Sequence, residues 1–252
     1  MSASTAVQGA TREPQLLGQT VVVIGGSAGM GLETARRARI EGADVIVTGR
    51  DPDRLARAAE ELGAVSTATF DAHDAAALDG FFEQVESIDH VLVTAGRPYY
   101  APLADMDFDE ARRSLEGHPL LMLRVARQSV GRVRAGGTLL FVGGTGARRP
   151  RLGLSVISAV TAALPALTAN LALEIAPIRV NLIAAGFVDT PLSASLLGDQ
   201  LDERRNELRT TLPIGRVVGP DDVAALAVHL MTNTALTGAT YDIDGGQQLV
   251  PG

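Results

Sequence analysis

The chain has 252 residues, 46% of them hydrophobic, which is enough to bury a large core as one α/β domain. A net charge of −7 argues against a general nucleic-acid binder, and the lack of cysteine removes disulfides, thiolate nucleophiles and cysteine metal sites. No uninterrupted apolar run approaches the ~20 residues of a membrane span, so a cytoplasmic protein that engages neither nucleic acid nor membrane is expected. Residues 1–15, small and polar with Arg12, Glu13 and Pro14, lack a signal peptide's apolar stretch and read as a flexible tail before a domain at 16–252.

The first element is Val21-Val22-Val23-Ile24, a β-branched run suited to a buried parallel strand. It runs straight into Gly25-Gly26-Ser27-Ala28-Gly29-Met30-Gly31, and helix formers follow from Glu33 to Arg39. A strand, a glycine turn and a helix in this order form an anion site: main-chain N–H groups and the positive helix end face a phosphate. The spacing Gly25-x-x-x-Gly29-x-Gly31 also suits an ordinary tight loop, so the motif alone leaves both readings open.

Ala43–Gly49 reads as the second strand, and Pro52–Leu62 as a helix with Asp51 at its N-cap. A third strand over Val65–Phe70 ends at Asp71. A helix over Asp74–Val85 and a strand over His90–Thr94 come next. Asp107–Val133 is expected as one long helix bent near Pro119, then a strand over Thr138–Val142 and a helix over Leu154–Ile175 bent at Pro165. Ile178–Ala184 is a strand, Pro191–Thr211 a charged amphipathic segment, Pro220–Met231 a helix and Thr240–Ile243 the last strand. Repeated βα units with right-handed crossovers give a Rossmann-type, doubly wound parallel sheet in three α/β/α layers, as a single domain.

Several segments together resemble the short-chain dehydrogenase/reductase family over roughly residues 16 to 250. They are Ile24–Gly31, Val93-Thr94-Ala95-Gly96, Leu171–Glu174 with Ile178–Asn181, Gly186–Pro191, and Thr237–Ala239 with Asp242–Gly246. The resemblance implies a dinucleotide held by Gly25, Ser27, Ala28, Gly29, Met30 and Gly31. It places Asp71 and Ala72 by the adenine, Ala95 and Gly96 on the ribose side, and Val188 and Thr190 at the nicotinamide carboxamide. An acid at the end of the second strand would repel a 2′-phosphate. Thr48-Gly49-Arg50 offers a guanidinium there instead, so NADP(H) is expected over NAD(H).

The family's reaction uses a tyrosine, a lysine four residues later, a serine and an asparagine. Counted back from Leu171–Glu174, Ile157 falls at the tyrosine and Thr161 at the lysine. Gly144 falls at the serine and Leu115 at the asparagine. No frame shift restores the set, because the chain has no lysine and no tyrosine between Tyr100 and Tyr241. Loss of general acid–base catalysis alone costs about 10²–10⁴ in rate. Substitute proton donors are Tyr99, Tyr100 and His118, although packing roles explain each of them as well. Ser155 and Ser158 flank Ile157 but have no base beside them, and Asp189 reads as a loop or capping residue. The arginines Arg148, Arg149 and Arg151 read as a solvated face, with an anionic-substrate clamp as the alternative. Four histidines without ligand spacing give no metal site.

Three functions therefore remain open. One is an oxidoreductase with a non-standard site that reduces an imine, an iminium or an activated C=C or C=O bond. A second is a catalytically silent NADP(H)-binding sensor or scaffold, and a third is a non-redox isomerase or lyase. The resemblance further implies a small-molecule substrate, a homotetramer or homodimer built on the two long helices, and a mobile lid over 196–211.

Overall fold

The computed structural model describes residues 13–250. Most of the expected tail, residues 1–12, lies outside them; at its inner end the Gln15 N–H donates to the Glu41 carboxylate at 3.1 Å.

The described residues form a seven-stranded sheet in the order β3-β2-β1-β4-β5-β6-β7, with every pairing parallel. The strands are β1 (Thr20–Ile24), β2 (Asp44–Gly49), β3 (Ser66–Thr69), β4 (Ile88–Val93), β5 (Val133–Gly144), β6 (Arg179–Ala185) and β7 (Thr240–Ile243). The helices are α1 (Gly29–Ile40), α2 (Pro52–Leu62), α3 (Ala75–Gln84), α4 (Phe108–Ser129), α5 (Ser155–Glu174), α6 (Pro191–Leu197), α7 (Leu201–Thr211) and α8 (Pro220–Thr232). Strand order reverses between β1 and β4, and in such sheets the crevice outside the carboxyl ends at the reversal takes the ligand.

Alternate strand residues feed two cores. Val21, Val23, Val45 and Val47 pack under α1, α2 and α8, whereas Val22, Ile24, Val91 and Val93 pack under α3, α4 and α5. Burial on both faces explains why these strands are continuous apolar runs with no polar alternation.

Three boundaries differ from expectation. α4 ends at Ser129, because Gly131 takes a left-handed φ of +78° and Val133 already pairs with Ile88. α1 starts at Gly29, inside the glycine motif and four residues before Glu33, its expected start. Pro191–Thr211 is two helices broken at Gly198, which has φ +52°. α4 and α5 run through Pro119 and Pro165 as single helices.

α5 is long and apolar enough, by length and composition, to cross a membrane. Its packing accounts for much of that character: Val156, Val160, Leu164 and Leu171 are buried in the core under the sheet. Its other face presents exposed Ala159, Ala162, Ala163 and Ala166 beside exposed Leu120 and Leu123 of α4.

Candidate functional site

The glycine turn is pinned from both neighbouring strands. Gly25 and Gly26 donate their N–H groups to the Thr48 carbonyl at 3.2 and 2.9 Å, and the Thr94 hydroxyl donates to the Gly25 carbonyl at 3.0 Å. Gly25 has φ +96°, a conformation that L side chains rarely adopt. A Cβ on Gly31 would lie 2.3 Å from the Gly25 carbonyl oxygen and 2.7 Å from the Thr94 hydroxyl. Only glycine lets α1 start this close to the turn.

That start is bare. Its N-cap, Ala28, supplies no side-chain hydrogen bond, and its first turn holds no acid. By contrast α2, α3 and α4 are capped by the carboxylates of Asp51, Asp74 and Asp107. The first N–H groups of α1 have no intrahelical acceptor, so they form a cradle that an anion fits. Thr190 closes the cradle: its side chain lies 3.4 Å from where a Gly29 Cβ would sit, and its hydroxyl accepts the Ser193 N–H at 3.2 Å. Val188 is buried one turn away and bridges Val218.

On the β2 side, Gly49 carries no side chain and packs on Ser27, and Arg50 stands exposed beyond it, 3.9 Å from the Asp71 carboxylate. Burial pushes the Asp71 pKa up. Hydrogen bonds from the His73 N–H and ring, together with the Arg50 charge, outweigh this and hold it below the ordinary carboxylate range. The Arg50–Asp71 pair is long and solvated, so it holds Arg50 only weakly. Ala72 is buried beside them.

At the end of β4, Ala95 is half-buried and Gly96 is exposed, with φ +145°. His118 reaches this point from α4, its Nδ1 3.3 Å from where a Gly96 Cβ would sit. Burial, then the charge of His73, lowers its pKa to about 4, so the ring is neutral at pH 7. The Tyr99 hydroxyl accepts the Asp107 N–H at 2.8 Å, at the start of α4. Tyr100 is half-exposed, and desolvation pushes its phenol up, the wrong direction for an acid near neutrality.

Gly144, Ile157 and Thr161 do come together at the other end of the crevice. A Cβ on Gly144 would lie 3.5 Å from Thr161 Cγ2, and one on Gly146 would lie 3.7 Å from Ile157 Cγ2. The hydroxyls there face the main chain: Thr161 donates to the Ile157 carbonyl at 2.8 Å and Ser158 to the Gly146 carbonyl at 2.9 Å. Leu115 is exposed on α4. Asp189 takes a two-pronged hydrogen bond from Arg205 of α7 at 2.9 and 2.8 Å, which ties the expected lid to the loop before α6. Gln247 and Gln248 had no signal in the sequence beyond their place after Gly245-Gly246. They close a cavity of about 90 Å³ together with Thr145, Gly146, Arg149, Arg151 and Leu154.

Comparison with known proteins agrees with this geometry. Residues 25–248 match a family model described as "Enoyl-(Acyl carrier protein) reductase". Short-chain dehydrogenase/reductase ATR9 of Stachybotrys chlorohalonatus is 29% identical, covering 92% of this chain and 98% of its own. The structure of MalC Reductase/Diels-Alderase from Malbranchea aurantiaca has a TM-score of 0.87 at 25% identity, covering 94% of this chain and 99% of that one. A small-chain dehydrogenase in complex with NADPH has a TM-score of 0.79 at 26% identity, covering 92% and 99%. The parallel sheet, the glycine turn under an uncapped α1 and a family match over nearly the whole chain lead to one conclusion: this protein belongs to the short-chain dehydrogenase/reductase family.

Proposed function

We propose that this family member is an NADP(H)-dependent oxidoreductase that works without the family's usual proton-transfer groups. The observation that carries the reading is the bare start of α1 over a turn where added Cβ atoms collide, with Arg50 and no acid at the end of β2. Main-chain N–H groups from Ser27 to Gly31 would hold the pyrophosphate, and Arg50 the 2′-phosphate. Asp71 and Ala72 would border the adenine, Ala95 and Gly96 the ribose, and Val188 and Thr190 the carboxamide. When bound, the cofactor supplies the hydride; the protein supplies position and electrostatics.

Ile157 and Thr161 bring no free acid to the other end of the crevice. The substrate class that tolerates this needs little proton assistance: an iminium already bears its charge, and an activated C=C bond accepts hydride readily. The structural likeness to a protein described as a reductase and Diels-Alderase supports such a substrate over a simple ketone. A silent NADP(H)-binding sensor is the second reading, favoured by the turning of the Thr161 and Ser158 hydroxyls onto the main chain.

Fluorescence titration with NADPH and NADH tests the cofactor, with tighter NADPH binding expected. Absence of binding by either would remove both readings and leave an isomerase or lyase. Turnover of imines, enones and ketones by the wild type and by Tyr99→Phe, Tyr100→Phe and His118→Ala then separates enzyme from sensor. Iminium reduction at unchanged rates in all three variants is expected.

The exposed apolar face shared by α4 and α5 supports a homodimer or homotetramer, because two copies meeting there would cover Leu120, Leu123 and the alanine run. Light scattering of the wild type against Leu123→Glu tests this, with dissociation of the variant expected.

A further inference from the structure

We propose that the cavity beside Ile157 is a recognition site for a carboxylate or phosphate on an otherwise apolar substrate, with Arg151 and Arg149 as its ligands. The assignment rests on the reading of the β5–α5 crevice as the substrate side.

Three observations carry it. The first is place. The cavity is lined by Thr145 and Gly146, directly after β5, and by Leu154, directly before α5. These residues adjoin Gly144 and Ile157, so a group held here leaves the rest of its molecule beside the reacting end of the crevice.

The second is charge. Three arginines sit on this loop, and they are not equivalent. Arg148 is neutralised by the Asp242 carboxylate and also donates to the Gln248 side chain at 3.2 Å. Arg149 donates to the Gln247 carbonyl at 2.9 Å, a neutral partner that fixes the guanidinium across the cavity and leaves its charge uncompensated. Arg151 has no ion pair or hydrogen bond among the described residues. No acid lines the cavity. Two carboxylates lie behind the lining residue Gln248: Asp242, paired with Arg148, and Asp244, which accepts from the N–H groups of Gly246 and Gln248 and from the Gln248 amide. Two uncompensated cations facing one cavity are unusual in a chain of net charge −7, and planar guanidinium groups match the fork of a carboxylate or phosphate.

The third is the start of α5. Leu154, its N-cap, supplies no side-chain hydrogen bond, and its first turn holds no acid. The positive end of a 20-residue helix therefore adds to the arginine field where Leu154 lines the cavity. A volume of about 90 Å³ holds roughly three water molecules' worth of matter. That suits an anionic head group, with the apolar body lying along Leu154 and Ile157.

Calorimetric titration of the full chain with octanoate, octyl phosphate and octanol, with and without NADPH, tests the site. Octanoate or octyl phosphate should bind saturably, at least tenfold tighter than octanol, and NADPH should not displace either. Arg151→Gln and Arg149→Gln should each weaken the anion at least tenfold, whereas Arg112→Gln, on the outside of α4, should leave it unchanged. The two anions distinguish carboxylate from phosphate. Octanol binding as tightly as octanoate, unchanged affinity in both cavity variants, or displacement by NADPH would each overturn the proposal. The octanoate titration needs no cofactor, so a failure of NADPH to bind would sink the cofactor reading and leave this result readable.

Discussion

The two ends of the crevice are built from the same materials and behave oppositely. At the β1–β4 end, glycines expose main-chain N–H groups: the first turn of α1 is uncapped and the Thr94 hydroxyl is spent on holding the turn in shape. At the β5–α5 end, Gly144 and Gly146 lie beside Thr161 and Ile157 at distances where an added Cβ would make ordinary contact. The Thr161 and Ser158 hydroxyls then satisfy carbonyls and do not face the crevice. Within one sheet, the exposure of main-chain N–H groups and the exposure of side-chain hydroxyls are therefore separable. The first rests on backbone direction, which many side chains permit, and the second on a few particular side chains.

The strongest way to break this contrast is to rebuild the second end. Gly144 has an ordinary φ, and a Cβ there would make ordinary contacts with Thr161 Cγ2 at 3.5 Å, the Ala185 carbonyl at 3.7 Å and the Gly146 nitrogen at 3.9 Å, so a side chain fits. The triple variant Gly144→Ser, Ile157→Tyr, Thr161→Lys should raise NADPH-dependent ketone reduction about 100-fold, the lower range for a positioned acid–base group. A steady-state assay checks this, and a rate equal to wild type would show that more than these groups is missing. The mirror experiment spoils the first end. A Gly31→Ala Cβ is driven into the Gly25 carbonyl, so urea unfolding should show a loss of about 2 kcal/mol, and NADPH fluorescence titration a loss of about 100-fold in affinity.

Smaller effects sharpen the boundary between the two ends, where His118 stands against Gly96. Its pKa is about 4 in the folded chain against 6.5 in the unfolded one, so the unfolded state takes up the proton first as pH falls. The resulting destabilisation begins below about pH 6.5, is complete near pH 4 and amounts to about 3 kcal/mol. Denaturant melts across this range should lose that part of their pH dependence in His118→Asn. The smallest effect is at Arg50: Arg50→Gln should weaken NADPH about tenfold, the worth of a charge-assisted hydrogen bond, and leave NADH unchanged. Paired titrations check it.

Much of this was legible in residue order. The strand Val21–Ile24 and the glycines after it gave the strand, turn and helix that open the sheet. Asp51 marked the start of α2, and the helices expected from Asp74 and Asp107 begin one residue later, each capped by that aspartate. Other features were hidden. Gly131 breaks α4 locally, but that Val133 is already a strand residue depends on its pairing with Ile88, far away in the chain. Arg148, Arg149 and Arg151 look alike as letters on a loop. Only β7 and the turn after it neutralise one with Asp242 and anchor the second on Gln247, leaving the third unpaired among the described residues.

Sequence alone determined the layered parallel fold, because strand burial and glycine backbone freedom act within a few residues. It also fixed the absence of lysine and of a central tyrosine, which no folding can supply. Tertiary structure decided which charges survive uncompensated and which hydroxyls face the crevice. Both depend on partners more than fifty residues away or on the turn of a helix, and neither is written in local order.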